Sequence, residues 1–263
     1  MNLQPGCMNR AWSEFTLEQA LAGIAAAGFS RTSLCSQQGV DPIRPDNSEA
    51  ELDRIQQALD ETGLTLDLII GGPDIRYADE EIIPAVQKLS ENLAKVGGTH
   101  LVACGINEPT LYDKYYRLLE ESCEVAADHG IGVLLKPHGG ISASADELLL
   151  SLDRVRKPNF GICYDPGNIL YYTGKRPEED LPKIAAHIAA LCLKDERGGM
   201  QGEVMITLGT GDVDFDVIFE ILREADFNGP TCVECLGGST LEEINAEARR
   251  TTQFLRDKKV MAE

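Results

Sequence analysis

The stretch Phe-Gly-Ile-Cys-Tyr-Asp-Pro-Gly-Asn, residues 160–168, runs apolar and then stops on a carboxylate, Asp165, directly before a Pro-Gly turn. Gly-Pro-Thr-Cys-Val-Glu-Cys-Leu-Gly-Gly, residues 229–238, does the same with Glu234. In a chain that alternates strands with helices, the C-terminal ends of strands are where a β/α barrel gathers its chemistry. A carboxylate withdrawn from water needs a cation or hydrogen bonds to offset the cost. Two of them at matched strand ends point to a metal, a substrate cation or a proton-transfer pair. The plainer alternative is that each caps the following helix or pairs with a neighbouring Lys.

Working outward, short apolar runs recur at residues 3–7, 31–35, 64–71, 100–104, 132–138, 160–165, 189–194 and 230–235. Longer amphipathic stretches separate them. Thr16 to Gln19, Ser48 to Glu51, Ser144 to Glu147 and Ser239 to Glu242 have the spacing of a capping box or a close variant. Ala20, Leu21, Ile24 and Ala25 then recur at helical spacing. Alternation of eight strands with helices predicts a parallel sheet. Eight units in 263 residues predict its closure into a single (β/α)8 barrel spanning 1–263.

Composition narrows the partners. Against 24 Lys and Arg stand 43 Asp and Glu, a net charge of −19 that repels phosphate backbones and anionic lipid. Nucleic acid and membrane are therefore not expected as partners, and a small neutral sugar is compatible. No apolar run approaches the ~18 residues of a membrane span, and the start of the chain does not read as a secretory signal. The eight cysteines are scattered through apolar runs, as buried thiols in a reducing, cytoplasmic setting are. Cys232-Val-Glu-Cys235 matches C-x-x-C by letter, but positions three apart on a strand face opposite sides.

Five segments in order carry a resemblance: Gly-Ile-Gly-Val-Leu-Leu-Lys-Pro-His-Gly-Gly (130–140), Gly-Ile-Cys-Tyr-Asp-Pro-Gly-Asn (161–168), Leu-Cys-Leu-Lys-Asp (191–195), Leu-Gly-Thr-Gly-Asp-Val-Asp-Phe (208–215) and Gly-Pro-Thr-Cys-Val-Glu (229–234). Together they resemble the xylose isomerase-like barrel superfamily of sugar isomerases, ketose epimerases, inosose dehydratases and endonuclease IV. The ketose epimerases of that superfamily hold one divalent metal with Glu, Asp, His and Glu from strands five to eight. By position the resemblance makes Asp165 the Asp and Glu234 the last Glu. At the other two positions this chain has Lys136 and Cys192, so one ligand has become a cation.

The resemblance leaves three outcomes open. A divalent metal (Mn, Mg, Co or Zn) is kept by Asp165 and Glu234 with His138 or Cys192, a thiolate favouring Zn. Alternatively, the Lys136 ammonium takes over its electrostatic role, or the barrel only binds a sugar. Alternation places Lys136 and His138, Asp165, Lys194 and Glu234 together at the mouth. Proton removal beside a carbonyl needs a base and a positive charge for the enediolate. Glu234 and Lys136 are the expected catalytic pair. Expected substrate contacts are His138, Asn168, Lys194 and Asp195; a loop, turn or surface ion-pair role is the plainer reading of each. A sugar or polyol isomerase or epimerase is expected first and a dehydratase or lyase second. A homo-oligomer is left open. Gly209-Thr-Gly211 reads as a turn or a phosphate loop, and Gly237-Gly238-Ser239 stands where barrels often hold phosphate.

Overall fold

The computed structural model describes residues 3–262. Among these, eight parallel strands close in sequence order: β1 (Gly6–Met8), β2 (Arg31–Leu34), β3 (Thr65–Ile70), β4 (His100–Ala103), β5 (Gly132–Leu135), β6 (Phe160–Tyr164), β7 (Ile188–Leu193) and β8 (Thr231–Val233). Closure is made by β8 pairing with β1, Gly6 opposite Cys232. Most strands stop one or two residues short of their apolar runs, and β5 stops three short, before Lys136. The first strand also starts three residues later than its apolar run, at Gly6 rather than Leu3. Leu3 donates its N–H to Val260 O instead, tying the start of the chain to its end.

Helices wrap the outside: α1 (Leu17–Ala26), α2 (Glu49–Thr62), α3 (Asp79–Lys95), α4 (Tyr112–Ala127), α5 (Ala145–Val155), α6 (Pro166–Thr173), α7 (Pro177–Asp180), α8 (Phe215–Glu224) and α9 (Leu241–Asp257). The longer ones bury an apolar stripe, as α1 does with Ala20, Leu21 and Ile24. Each fully buried Leu or Ile contributes roughly 1.5–3 kcal/mol. Thr16 and Ser48 make the expected capping boxes. The last box lies one residue later, at Thr240 and Glu243, because Ser239 also gives its N–H and hydroxyl to Glu243. Ser144 caps no N–H; Ala145 donates instead to Asp180 at the end of α7, a tertiary contact that local spacing cannot reveal.

Inside the barrel, Met8, Leu68, Val102, Leu134, Cys163, Ala190, Cys192 and Cys232 form a buried apolar layer. Strand alternation carries the same face two residues onward. Beyond Leu134, Cys163, Cys192 and Cys232 stand Lys136, Asp165, Lys194 and Glu234. The apolar plug thus sets the floor on which the charged residues sit.

The opposite end carries a charge pair of another kind. Arg31 donates from Nε to Asp67 Oδ2 at 2.7 Å, and Asp67 is buried. Conserving fold rather than chemistry is the usual role of that end of a barrel. Arg31→Met should lower unfolding free energy by about 2–4 kcal/mol, a figure reduced because the arginine is partly exposed. Denaturant melts check the loss, and ligand binding at the mouth should be unchanged; a loss of binding without a loss of stability would contradict this assignment.

Candidate active site

Five ionic side chains meet at the mouth. Lys136, just past β5, ion-pairs with Asp165 Oδ2 at 3.0 Å and hydrogen-bonds Glu234 Oε2. Lys194, just past β7, reaches Glu234 Oε1 at 3.0 Å and Asp165 Oδ2 at 3.5 Å. Arg10, in the 3-10 turn Asn9–Trp12 after β1, donates to Glu234 Oε1 at 2.9 Å. The Cys192 thiol donates to Glu234 Oε2 at 2.9 Å. All but Arg10 are at most 3% exposed, whereas the Arg10 side chain is 43% exposed and so faces the opening.

Asp165 serves both readings the sequence allowed. Its Oδ1 accepts the N–H of Asn168 at 2.9 Å as the N-cap of α6, with Pro166 at the first helical position. Its Oδ2 faces the two ammonium groups. Asn168 is no mere turn residue. It is buried, gives Nδ2 to Pro137 O at 2.7 Å and takes Lys194 Nζ on Oδ1 at 3.0 Å, so it couples the loop after β5 to the lysine after β7.

His138 lies beside this group rather than within it. Its Nε2 is 2.8 Å from the Tyr172 hydroxyl, and the two ring centroids lie 4.5 Å apart with the planes tilted by 42°. Asp195 departs from both expectations, substrate contact and surface ion pair. It is fully buried, and its Oδ2 accepts the N–H of Gly209 at 2.9 Å and Gly211 at 2.8 Å while Oδ1 accepts those of Glu196 and Val213. A Cβ at Gly211 would lie 2.3 Å from Asp195 Oδ1, so glycine permits the approach. Asp195 is thus the anchor of the 207–213 loop. Those amides already hold a carboxylate, and Gly209-Thr-Gly211 is a turn rather than a phosphate loop. The amides of Ser239 and Thr240 are likewise taken, by Glu243.

The electrostatics follow from burial and neighbours. Burial alone would raise the Glu234 carboxyl, but Lys136, Lys194 and Arg10 overcome it and hold it well below the ordinary range. Burial would lower the Lys136 ammonium, yet the carboxylates of Glu234 and Asp165 hold it well above its usual value. Burial pushes the Cys192 thiol up, reinforced by Cys232 and Glu234, so it is protonated and acts as a donor. His138 is pushed below 6.5 by burial and then by Lys136 and Lys194, which leaves a neutral imidazole at pH 7.

A cavity of about 840 Å³ opens on the β2–β4 side of the mouth, bordered by Arg44, Ile70, Asp74, Tyr77, Cys104 and Tyr115. That is a small-molecule volume. It does not contain the ionic cluster but adjoins it. Ile70 and Val102 are shared with the inner layer, and the Cys104 thiol senses Lys136 and Lys194. Arg10, Tyr172 and Cys104 were not reached from sequence.

By spacing, Asp165, Cys192 and Glu234 could hold a metal ion: each offers a ligand atom, all within 4.8 Å of one another. Their surroundings oppose it. Lys136 Nζ already lies against both carboxylates. A divalent ion some 3 Å from an ammonium is repelled by about 11 kcal/mol at an effective dielectric of ~20. The donor set with this lysine in place does not fit a metal.

The closed sheet and the charged residues at its strand ends define a parallel (β/α)8 barrel with its ionic cluster at the C-terminal mouth. The chain belongs to the xylose isomerase-like TIM barrel family, whose model matches residues 19–258. It is 22% identical over 275 residues to an inosose dehydratase of Clostridium botulinum, covering 93% of this chain and 90% of that protein. In structure it is similar to a xylose isomerase domain protein from Planctomyces limnophilus, with TM-score 0.79, 20% identity and 99% of both chains covered. A D-allulose 3-epimerase from Methylomonas sp. superposes with TM-score 0.76 at 19% identity over 98% of both chains. Among the described residues no helix is long and apolar enough to cross a membrane.

Proposed function

We propose that this barrel is an enzyme acting on a sugar or polyol ketone, and that it removes a proton beside the carbonyl and then expels water. The observation that carries this reading is the pairing of buried ammonium groups, Lys136 and Lys194, with a neutral imidazole, His138, at one mouth. A base works best with a pKa near the operating pH. Glu234, held down by three cations, is a weak base and a strong holder of positive charge. His138 suits the base better, oriented by Tyr172.

The steps balance without an outside reagent. His138 takes the proton from the carbon next to the carbonyl. Lys194 carries the negative charge that develops on the carbonyl oxygen. The C–O bond one carbon further breaks as a C=C bond forms, and Lys136 donates its proton to the departing hydroxyl, which leaves as water. An epimerase needs a base on each face of one carbon. Here the strand-five position that would supply the second offers an acid, and the similarity to an inosose dehydratase agrees in direction.

The test is proton NMR in D2O with a panel of keto sugars and keto polyols. Deuterium uptake with loss of water supports the proposal. Uptake with only an epimer formed selects the isomerase or epimerase reading, and affinity without uptake selects a sugar-binding barrel. The pH profile adds a check with a definite sign. Protonation of His138 abolishes the base, so activity should fall on the acid side only below pH 6.5, the ordinary imidazole value. Tyr172→Phe should lower the rate about tenfold and move that acid limb while leaving substrate affinity nearly intact. An unmoved limb removes His138 from the base role.

A further inference from the structure

We infer that the Lys136 ammonium stands where a divalent cation would otherwise sit, making this a barrel whose positive charge is supplied by its own chain. The inference rests on the proposed reaction only for its purpose; the geometry is independent of it. Two of the three atoms that could ligate a metal lie at ion-pair distance from Lys136 Nζ, and the third, Cys192 Sγ, donates its proton onto one of them. Zinc or magnesium would need those oxygens at ~2.0–2.2 Å. An ion so placed would displace Nζ from its pocket.

Charge decides the same way. Two carboxylates, Asp165 and Glu234, face three cations, Lys136, Lys194 and Arg10, leaving one positive charge in a group closed to water except at Arg10. A divalent ion would add to that surplus with no further carboxylate to answer it. Asp165 Oδ2 is the one buried carboxylate oxygen of this group at which no hydrogen bond is aimed. It is not open space for a metal, because Lys136 Nζ stands 3.0 Å away and Lys194 Nζ 3.5 Å away. The single surplus positive charge matches the single negative charge of an enolate oxygen.

The experiment titrates Mn(II) into the full chain, purified without chelator, and follows binding by electron paramagnetic resonance and calorimetry. Elemental analysis for Zn, Mn, Co and Mg accompanies it. The wild-type protein should carry no stoichiometric metal and bind no Mn(II) at this site. Lys136→Glu, which trades the cation for a carboxylate, should gain a single Mn(II) site, and adding Asp165→Asn should remove it. Should Lys136→Glu fail to fold, Lys136→Gln takes its place with the same readout. Stoichiometric metal in the wild type, lost in Asp165→Asn, overturns the inference. So does a folded Lys136→Glu or Lys136→Gln that binds none, since the lysine would then not be standing in for an ion. Failure of every ketone to exchange deuterium would sink the proposed reaction and leave these metal results standing.

Discussion

Glu234→Gln is expected to remove deuterium exchange by at least about 10²–10³-fold and to lower unfolding free energy by about 3–5 kcal/mol. The glutamate is almost fully buried and answers Lys136, Lys194 and Arg10 at once. An amide keeps the shape and loses the charge. Lys136 and Lys194 then share the single carboxylate of Asp165 with no water to turn to, and Arg10 loses its partner. Breaking one side of a buried ion pair costs more than the pair was worth, because the stranded charge stays desolvated. The two lysines should also lose the orientation that aims them at substrate. Thermal and denaturant unfolding read the first effect, and NMR in D2O reads the second. A variant as stable as wild type would mean that the cluster is wetter or more mobile than the distances imply.

What could be read from sequence was whatever depends on alternation. Leu134 and Lys136, Cys163 and Asp165, Cys192 and Lys194, and Cys232 and Glu234 are each two residues apart, and a strand makes that one face. The convergence of four charged groups followed from the strand ends alone. Arg10 was lost because the first strand was set at residues 3–7; with β1 at Gly6–Met8, Arg10 falls two residues past its end. Tyr172 sits inside α6 and meets His138 only because Asp165, Pro166 and Asn168 fix how that helix leaves the barrel. Asp195 shows the opposite error. Its neighbour Lys194 reaches the mouth, but the next residue along a strand faces the other way, here into the backbone of a distant loop. The cavity is invisible to sequence because it is assembled from loops after three different strands with no common motif.

Lys136→Met should be the more informative loss, because its effect on stability depends on pH with a predictable sign. Removing the ammonium leaves Asp165 and Glu234 sharing Lys194, with Arg10 reaching only Glu234. Two buried carboxylates that have lost the ammonium lying against both of them favour taking up a proton in the folded state. A group that binds protons more tightly when folded stabilises at low pH and loses that contribution as pH rises. The deficit against wild type should therefore be small near pH 4.5 and grow to about 3–5 kcal/mol by pH 7.5. The wild-type cluster behaves in the opposite sense. Its Glu234 is held below the ordinary carboxylate range, so its contribution is present above that range and fades as pH falls through it. Paired melts at pH 4.5 and 7.5 measure the difference. An equal deficit at both would show that the methionine side chain, not the missing charge, was responsible. At pH 7.5 the rate of water loss should drop about 10²–10³-fold, the scale expected for losing one preorganised donor. Added primary amines of small size should restore part of it in Lys136→Ala, where the space is open, and not in Lys136→Met, where it is filled.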